Sequence, residues 1–349
     1  MDELDFLKGL VSIDSPSGCE ASVARYLSEG MVGLGFRARG DEAGNVVGQL
    51  GDAGSQRHIV LLGHMDTVPG RIPVREAGGR LYGRGTVDAK GPLAAFVWAA
   101  ARVGRQPLPV RLTVIGAVDE EGQSIGAHHL AETMAPPECV IIGEPGGWQG
   151  ITLGYKGALQ VTYRWVEAAR HAASGHAAPA ERAVAFWERL VSFSVSTNRG
   201  RTRRFEKLDA HLLAIHTFGD GLEQGVEMNL GLRLPVGLDV TELEERMPSW
   251  ADGAELTFSA SEPPFVASKN TALVRALLRA IRGEGGRPRF KLKTGTSDMN
   301  VVGPAWGCPI VAYGPGDSAL DHTPEEHIEV AEFLRAIDVL QQVLETVIA

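Results

Sequence analysis

Residues 58–66 read HIVLLGHMD, and this stretch decides the fold class. Four consecutive apolar residues, Ile59 to Leu62, are followed by a glycine and then by His64 and Asp66. A short continuous apolar run is typical of a strand buried on both faces, as in a parallel sheet covered by helices. Open α/β sheets bind ligands at the carboxyl ends of such strands. The stretch therefore predicts a buried strand whose end carries His64 and Asp66 to a ligand-binding edge.

The same pattern recurs along the chain. Apolar runs that stop at glycine or aspartate occupy residues 112–118, 140–142 and 310–313. Helical patterns lie between the runs, one beginning near Pro92 and the last covering residues 325–347. We therefore expect an α/β fold with a mostly parallel sheet and helices on both of its faces.

The middle of the chain has a different pattern. Apolar and polar residues alternate over 159–165 and 226–234, which is typical of strands with one exposed face. We expect a discontinuous main domain formed by residues 1–154 and 265–349. A smaller α+β domain of residues 155–264 would be inserted in it.

Charge and composition argue against several classes of protein. The formal net charge of -9 does not suit a general nucleic-acid binder. No apolar stretch is long enough for a membrane span, and MDELDFLKGL lacks the features of a signal peptide. The cysteines Cys19, Cys139 and Cys308 are far apart, which fits a reducing compartment. We expect a cytoplasmic protein with no nucleic-acid and no membrane partner.

Candidate metal ligands follow the predicted strands or lie in nearby loops: His64, Asp66, Asp88, Glu120, Glu121, Glu144 and His322. Singly, each is explained by a cap, a turn or a structural hydrogen bond. Their expected position at one sheet edge favours a catalytic zinc site, because mixed histidine and carboxylate ligands suit zinc. From the residues alone, both interpretations remain open.

The motifs GHMDTVP, GRGTVDAKGP, DEEG, GEP and DHTPEE resemble, in this order, those of the M20 family of two-metal aminoacylases, deacetylases and carboxypeptidases. The inserted domain resembles that family's lid and dimerisation domain. The resemblance implies a homodimeric hydrolase of C–N amide bonds. It also implies two Zn²⁺ per subunit, for which Co²⁺ or Mn²⁺ can substitute.

The resemblance also implies roles for individual residues. It places the metal ligands in two groups that share a bridging aspartate: His64, Asp88 and Glu144 in one group, and Asp88, Glu121 and His322 in the other. Asp66 would orient the imidazole of His64. Glu120 would be the general base.

The family's lid domain supplies a histidine that steadies the oxyanion, often from the partner subunit. The segment ARHAASGHAAPAERAV contains both His171 and His176. The distance to the following helix favours His171, whereas the neighbouring Pro179 favours His176. We prefer His171.

Two further positions resemble those that bind the substrate carboxylate in related enzymes. Arg233, in MNLGLRLP, would pair with it through its guanidinium group, and a solvent-facing strand arginine is the alternative. The segment KTGTSDMN resembles the family's substrate loop, in which Thr294, Gly295 and Thr296 would offer backbone amides. A plain tight turn is the alternative there.

Within the family, GRGTVDAKGPLAAF and LKTGTSDMNVVG resemble the hydrolases that release lysine, or in some relatives ornithine, from the carrier protein LysW. Those enzymes cut a γ-amide between the carrier's C-terminal glutamate and the amino acid. Acetylornithine deacetylase, succinyl-diaminopimelate desuccinylase and dipeptidase or carboxypeptidase activities are the alternatives, because they share the metal residues. A metal-free binding protein is disfavoured because all the ligands and Glu120 are present.

An acidic carrier should meet a basic surface. Basic residues cluster in TNRGRTRRFEK, at Arg199, Arg201, Arg203, Arg204 and Lys207. A second basic run, RPRFKLK, precedes the predicted substrate loop. Ordinary solvated charge is the alternative interpretation of both.

Overall fold

A computed structural model describes residues 2–171, 173 and 175–349. The chain divides into two compact units. The first unit comprises Met1–Gly154, Val266–Leu292 and Ser297–Ala349, and the second comprises Tyr155–Phe265 and Lys293–Thr296.

The segment Lys293–Thr296 belongs to the second unit, whereas the sequence prediction included it in the main domain. Hydrogen bonds explain the difference. The backbone N–H of Lys156 donates to the carbonyl of Lys293 (3.2 Å), and Arg233 Nη1 donates to Thr296 Oγ1 (3.2 Å). Both partners are far away in the sequence, so local pattern does not reveal them.

Among the described residues, nine strands form the main sheet of the first unit. In spatial order they are β1 (Arg37–Gly40), β2 (Val46–Gly51), β6 (Arg111–Ala117), β3 (His58–His64), β7 (Cys139–Gly143), β15 (Ile310–Ala312), β8 (Gly150–Tyr155) and β13 (Phe265–Val266), with β14 (Arg289–Lys293) also paired to β8. A small second sheet contains β4 (Arg75–Ala77), β5 (Arg80–Tyr82) and β16 (His327–Glu329).

The centre of the main sheet is parallel. Strands β6, β3, β7 and β15 run in one direction, and antiparallel pairs lie on either side of them. Every residue of β3 and of β7 is buried, as expected for strands covered on both faces. The prediction of an α/β fold with a mostly parallel central sheet is confirmed.

The helices of the first unit cover this sheet. They are α1 (Glu3–Ser12), α2 (Ala21–Gly33), α3 (Lys90–Val103), α4 (Ile125–Thr133), α7 (Ala272–Gly283), α8 (Met299–Trp306) and α9 (Val330–Ile348). Helix α3 is the central one: it contacts α1, α9 and β3, and nearly all of its residues are buried. Helix α9 begins later than predicted, because residues 327–329 pair with β5 as strand β16.

The second unit is a four-stranded antiparallel sheet with two helices against it, among the residues described. The strand order is β10 (Asp209–Gly219), β11 (Glu223–Leu234), β9 (Gly157–Ala168) and β12 (Glu255–Glu262), and the helices are α5 (Pro179–Thr197) and α6 (Val240–Arg246). The apolar positions of the alternating strands form its core together with Ala183, Phe186 and Leu190 of α5. In the part of the chain that the structure covers, no helix combines the length and apolar character of a membrane span.

One buried histidine lies at the start of strand β3, at the opposite end from His64. His58 is 3% exposed, and its Nε2 lies 2.9 Å from Thr113 Oγ1. Its Nδ1 accepts a hydrogen bond from Arg111 Nη2 at 3.0 Å. Burial and the charge of Arg111 lower the pKa of His58 to about 4.

This histidine should make stability depend on pH. Between pH 4 and its ordinary pKa of about 6.5, the unfolded chain binds a proton at His58 and the folded chain does not. The free energy of unfolding should therefore fall by up to about 3 kcal/mol as the pH falls through this window. Denaturant unfolding at several pH values, compared with His58→Gln, measures it. Glutamine is polar, can donate and accept hydrogen bonds and does not titrate, so equal pH slopes in the two proteins would contradict the assignment.

Candidate metal centre

Three adjacent parallel strands end at the same edge of the main sheet. His64 is the last residue of β3, Glu144 directly follows β7, and Glu120 and Glu121 follow β6 by a few residues. Because the carboxyl ends of parallel strands meet, these side chains lie close together despite their separation in sequence.

The structure brings the predicted ligands into two groups: His64, Asp88 and Glu144, and Asp88, Glu121 and His322. Within each group the candidate ligand atoms lie within 4.8 Å of one another. Asp88 belongs to both groups, and each of its oxygens faces a different histidine. Its Oδ1 lies 3.3 Å from His64 Nε2, and its Oδ2 lies 3.1 Å from His322 Nε2.

Asp66 lies beside the two groups and is completely buried. One of its oxygens is 3.3 Å from Nδ1 of His64, the ring nitrogen that faces away from Asp88. Its carboxylate also accepts the backbone N–H groups of Glu120 (3.1 Å) and Glu121 (3.0 Å). The hydroxyl of Ser17 donates a further hydrogen bond at 2.7 Å. Asp66 therefore contacts both the imidazole and the segment that carries the two glutamates.

Glu120 belongs to neither group of candidate ligands. Its side chain is 10% exposed, and its Oε2 lies 3.8 Å from His64 Nε2. Burial raises the pKa of Glu120 well above its usual range, and the nearby charges of Glu144 and Glu121 act in the same direction.

The edge attracts positive charge. Hydrogen bonds with Asp88 and Glu121 raise the pKa of His322 to about 10. Burial acts to lower the pKa of His64, but the charge of Glu120 and hydrogen bonds to Asp66 and Asp88 outweigh it and raise the pKa. A donor set of two imidazoles and several carboxylates suits zinc, and divalent cations would replace the protons that these groups otherwise attract. The residues present therefore fit a two-metal centre.

The sequence analysis did not identify Glu326, which positions Asp88. Its carboxylate is completely buried and accepts the backbone N–H groups of Val87 (2.9 Å) and Asp88 (3.2 Å). Arg84 Nη1 donates to its other oxygen at 2.7 Å. The only signal in the sequence is the position of Glu326 in the same DHTPEE motif as His322.

The second unit brings together two predicted substrate-binding residues. Arg233 donates to the hydroxyl of Thr296, in the segment that also contains Thr294 and Gly295. Lys156, which the sequence analysis did not identify, fixes this segment through its backbone. Its buried ammonium group donates to Asp209 Oδ2 (2.7 Å) and to the carbonyl of Lys207.

The remaining predicted residues lie on the surface of the second unit. His171 and His176 are both exposed in the segment between β9 and α5. The backbone N–H of Ala173 donates to His171 Nδ1 at 3.1 Å. In the basic cluster, Arg199, Arg203 and Arg204 are exposed, and Arg201 and Lys207 are half-buried.

Comparison with known proteins agrees with this geometry. The model of peptidase family M20/M25/M40 matches residues 60–346. A LysW-lysine hydrolase from Deinococcus radiodurans is 43% identical over 97% of this chain and 95% of its own length. A putative LysW-lysine/LysW-ornithine hydrolase from Thermococcus kodakarensis is 40% identical over 99% of this chain and 92% of its own.

Solved structures share the fold at low sequence identity. An M20 metallo-carboxypeptidase from Sulfolobus solfataricus has a TM-score of 0.78 at 18% identity and covers 99% of both chains. A Bacillus subtilis protein described as a dinuclear metal binding peptidase has a TM-score of 0.72 at 12% identity, covering 99% of this chain and 97% of its own. From the family match and the two relatives, the chain belongs to peptidase family M20/M25/M40 and is a hydrolase of amide bonds.

Proposed function

We propose that this hydrolase releases L-lysine from the γ-amide of the C-terminal glutamate of the carrier protein LysW, in lysine biosynthesis. The names of the relatives that are 40 to 43% identical support this substrate. Several relatives are named for ornithine as well as lysine, so ornithine is the second candidate for the released amino acid.

The proposed chemistry rests on Asp88, which both groups of candidate ligands share. Its two oxygens face His64 and His322, so one carboxylate would contribute to both metal positions. Glu144 would complete the first position and Glu121 the second. When bound, two Zn²⁺ would polarise the scissile carbonyl and make water more acidic, and Co²⁺ or Mn²⁺ could replace them.

Two carboxylates that bind no metal would support the reaction. Asp66 would hold His64 with Nε2 directed at Asp88, because the backbone carbonyl (3.0 Å) and the carboxylate (3.3 Å) of Asp66 both lie at Nδ1, the opposite ring nitrogen. Glu120 would act as the general base that takes a proton from water and delivers it to the leaving amine. Its position supports this role, since its Oε2 lies 3.8 Å from His64 Nε2 and Glu120 belongs to neither group.

Residues of the second unit would recognise the substrate. The amide to be cut contains the α-amine of lysine, so the α-carboxylate is next to the scissile bond. Arg233, with Thr296 and the amides of Thr294 and Gly295, would pair with that carboxylate. We retain His171 for the oxyanion, because a neutral ring that accepts an N–H at Nδ1 carries its own proton on Nε2 and can donate it.

The substrate assignment predicts a large preference among amides. The zinc-loaded protein should cleave LysW with γ-linked lysine with a kcat/KM at least about 100-fold above that for N-acetylornithine, N-succinyl-diaminopimelate or dipeptides, which corresponds to about 2.7 kcal/mol. Steady-state assays of released amino acid measure the ratio, with γ-linked ornithine included.

The matched control for this assay is Glu120→Gln, which keeps the shape of the side chain and removes the base. Its kcat should fall by ~10²- to 10⁴-fold on every substrate. If a small acylated amino acid is preferred by the unsubstituted protein, the carrier assignment is wrong. If Glu120→Gln retains full activity, the assignment of the general base is wrong.

The basic cluster predicts how the carrier is recognised. Arg203→Glu with Arg204→Glu should raise the KM for carrier-linked lysine by at least ~10-fold and leave a small acetylated substrate unaffected, because only the carrier would contact this surface. Raising the salt concentration should reduce the difference between the variant and the unsubstituted protein. The exposed pair Arg25→Glu with Arg105→Glu changes the net charge equally and is the control. Equal effects of the two pairs, or equal effects on both substrates, would contradict the proposal.

We also propose a homodimer that forms through strand β10. This strand is at the edge of its sheet and exposes Leu212 (41%), Leu213 (61%) and Phe218 (44%). An apolar edge strand is a template for pairing with another chain, and charged side chains prevent such pairing.

A charge on this edge should therefore give a monomer. Leu213→Lys should halve the mass measured by light scattering, whereas Val32→Lys, at an apolar position of α2 with similar exposure (57%), should leave it unchanged. If the unsubstituted protein is a monomer, or if Leu213→Lys remains a dimer, β10 is not the interface.

A further inference from the structure

The segment Val118–Gly126 carries Glu120 and Glu121 and runs from the end of strand β6 into the first turn of helix α4. Two of its residues, Asp119 (φ 61°) and Ser124 (φ 50°), have left-handed backbone conformations that residues other than glycine rarely adopt. Such conformations persist only where the surroundings enforce them. The orientation of the two glutamates therefore depends on what holds this segment.

Four successive backbone N–H groups of the segment donate to side chains from other parts of the chain. The pairs are Val118 with Asn45 Oδ1 (3.0 Å), Asp119 with Glu20 Oε1 (3.1 Å), Glu120 with Asp66 Oδ1 (3.1 Å) and Glu121 with Asp66 Oδ2 (3.0 Å). Strand β6 ends at Ala117, so these side chains accept the hydrogen bonds that a neighbouring strand would otherwise accept.

Asn45 holds both ends of the segment. It is completely buried; its Oδ1 accepts from Val118, and its Nδ2 donates to the carbonyl of Gly126 at 3.1 Å. A Cβ atom at Gly126 would lie 2.2 Å from Asn45 Oδ1, so this approach requires glycine. The backbone N–H of Gly126 also donates to the carbonyl of Val118 (3.2 Å), which closes the segment into a loop.

Asp41 fixes the orientation of the Asn45 amide. Its Oδ2 accepts from Asn45 Nδ2 at 2.8 Å, and its Oδ1 accepts from the backbone N–H of Asn45 at 2.9 Å. An ionised carboxylate only accepts hydrogen bonds, so the NH₂ of Asn45 must face Asp41 and its oxygen must face Val118.

From these contacts we propose that Asn45, oriented by Asp41, is a positioning residue that holds Glu120 and Glu121 in place. This inference rests on the proposed two-metal function. It singles out one of the two metal positions, because Glu121 lies on the held segment and His64, Asp88 and Glu144 do not.

The decisive variant is Asn45→Ala, studied by calorimetric titration of the metal-free protein with Zn²⁺. The affinity for one of the two ions should fall by ~10- to 100-fold while the other is unchanged, which is the usual size of such effects on metal binding. The kcat on the preferred substrate should fall by a similar factor, with a smaller change in KM, because Glu120 is displaced. Thr113→Val is the matched control, since it removes a buried hydroxyl from β6 that bonds to His58.

An exchange of the two side chains separates positioning from loss of stability. Asn45→Asp alone places two carboxylates against each other. It should lower the affinity for the same ion that Asn45→Ala affects. Adding Asp41→Asn restores a donor and acceptor between positions 41 and 45, and residue 45 can still accept from Val118, although it can no longer donate to the carbonyl of Gly126. The double variant should therefore bind that ion more tightly than Asn45→Asp does, but less tightly than the unsubstituted protein.

The outcomes distinguish the two proposals. If the unsubstituted protein binds fewer than two ions, the two-metal function itself fails. If it binds two ions and Asn45→Ala lowers the affinity for both equally, Asn45 has no positioning role. The same conclusion follows if Asn45→Ala lowers the affinity no more than Thr113→Val does. A double variant as weak as Asn45→Asp would also overturn the role of Asp41.

Discussion

Mutual repulsion among five carboxylates at one sheet edge is the constraint on which the rest of the first unit depends. They are Asp66, Asp88, Glu120, Glu121 and Glu144, and of these Asp66 and Glu144 are buried. Burying like charges together is costly unless positive charge or hydrogen-bond donors accompany them. Two protonated imidazoles can supply at most two positive charges, whereas two divalent cations bound by neutral imidazoles would supply four. The centre is thus arranged for cations by its own composition.

Backbone N–H groups supply the rest of the compensation. Asp66 accepts two of them and Glu326 accepts two more, although neither residue belongs to a candidate metal group. These carboxylates at the same time fix the loops that carry Glu120, Glu121 and Asp88. The same hydrogen bonds therefore compensate the negative charge and hold the candidate ligands in place. Because the two groups share Asp88, and because Asp66 contacts both His64 and the backbone of Glu121, substitutions here should combine non-additively.

The sequence predicts the parts of this arrangement that have a local signature. Continuous apolar runs reveal the central strands, and family motifs reveal the candidate ligands. Nothing local indicates the roles of Glu326, which lies in the DHTPEE motif, and of Asn45, because they contact segments 239 and 73 residues away in the sequence. Strand β10 also lacks a clear pattern, since its side chains are exposed on both faces and do not alternate. Strand β16 is short and is defined only by its pairing with β5.

The two units divide the candidate metal residues from the residues that we propose for substrate recognition. The candidate metal residues all lie in the first unit, whereas Arg233, Thr296, His171 and the basic cluster lie in the second. Structures with TM-scores near 0.8 but below 20% identity are described as a carboxypeptidase and a di-peptidase, so fold alone does not fix the substrate. Relatives at 40 to 43% identity, which match both units, are named for LysW conjugates. Differences in sequence on this shared fold, rather than the fold itself, should therefore decide the substrate.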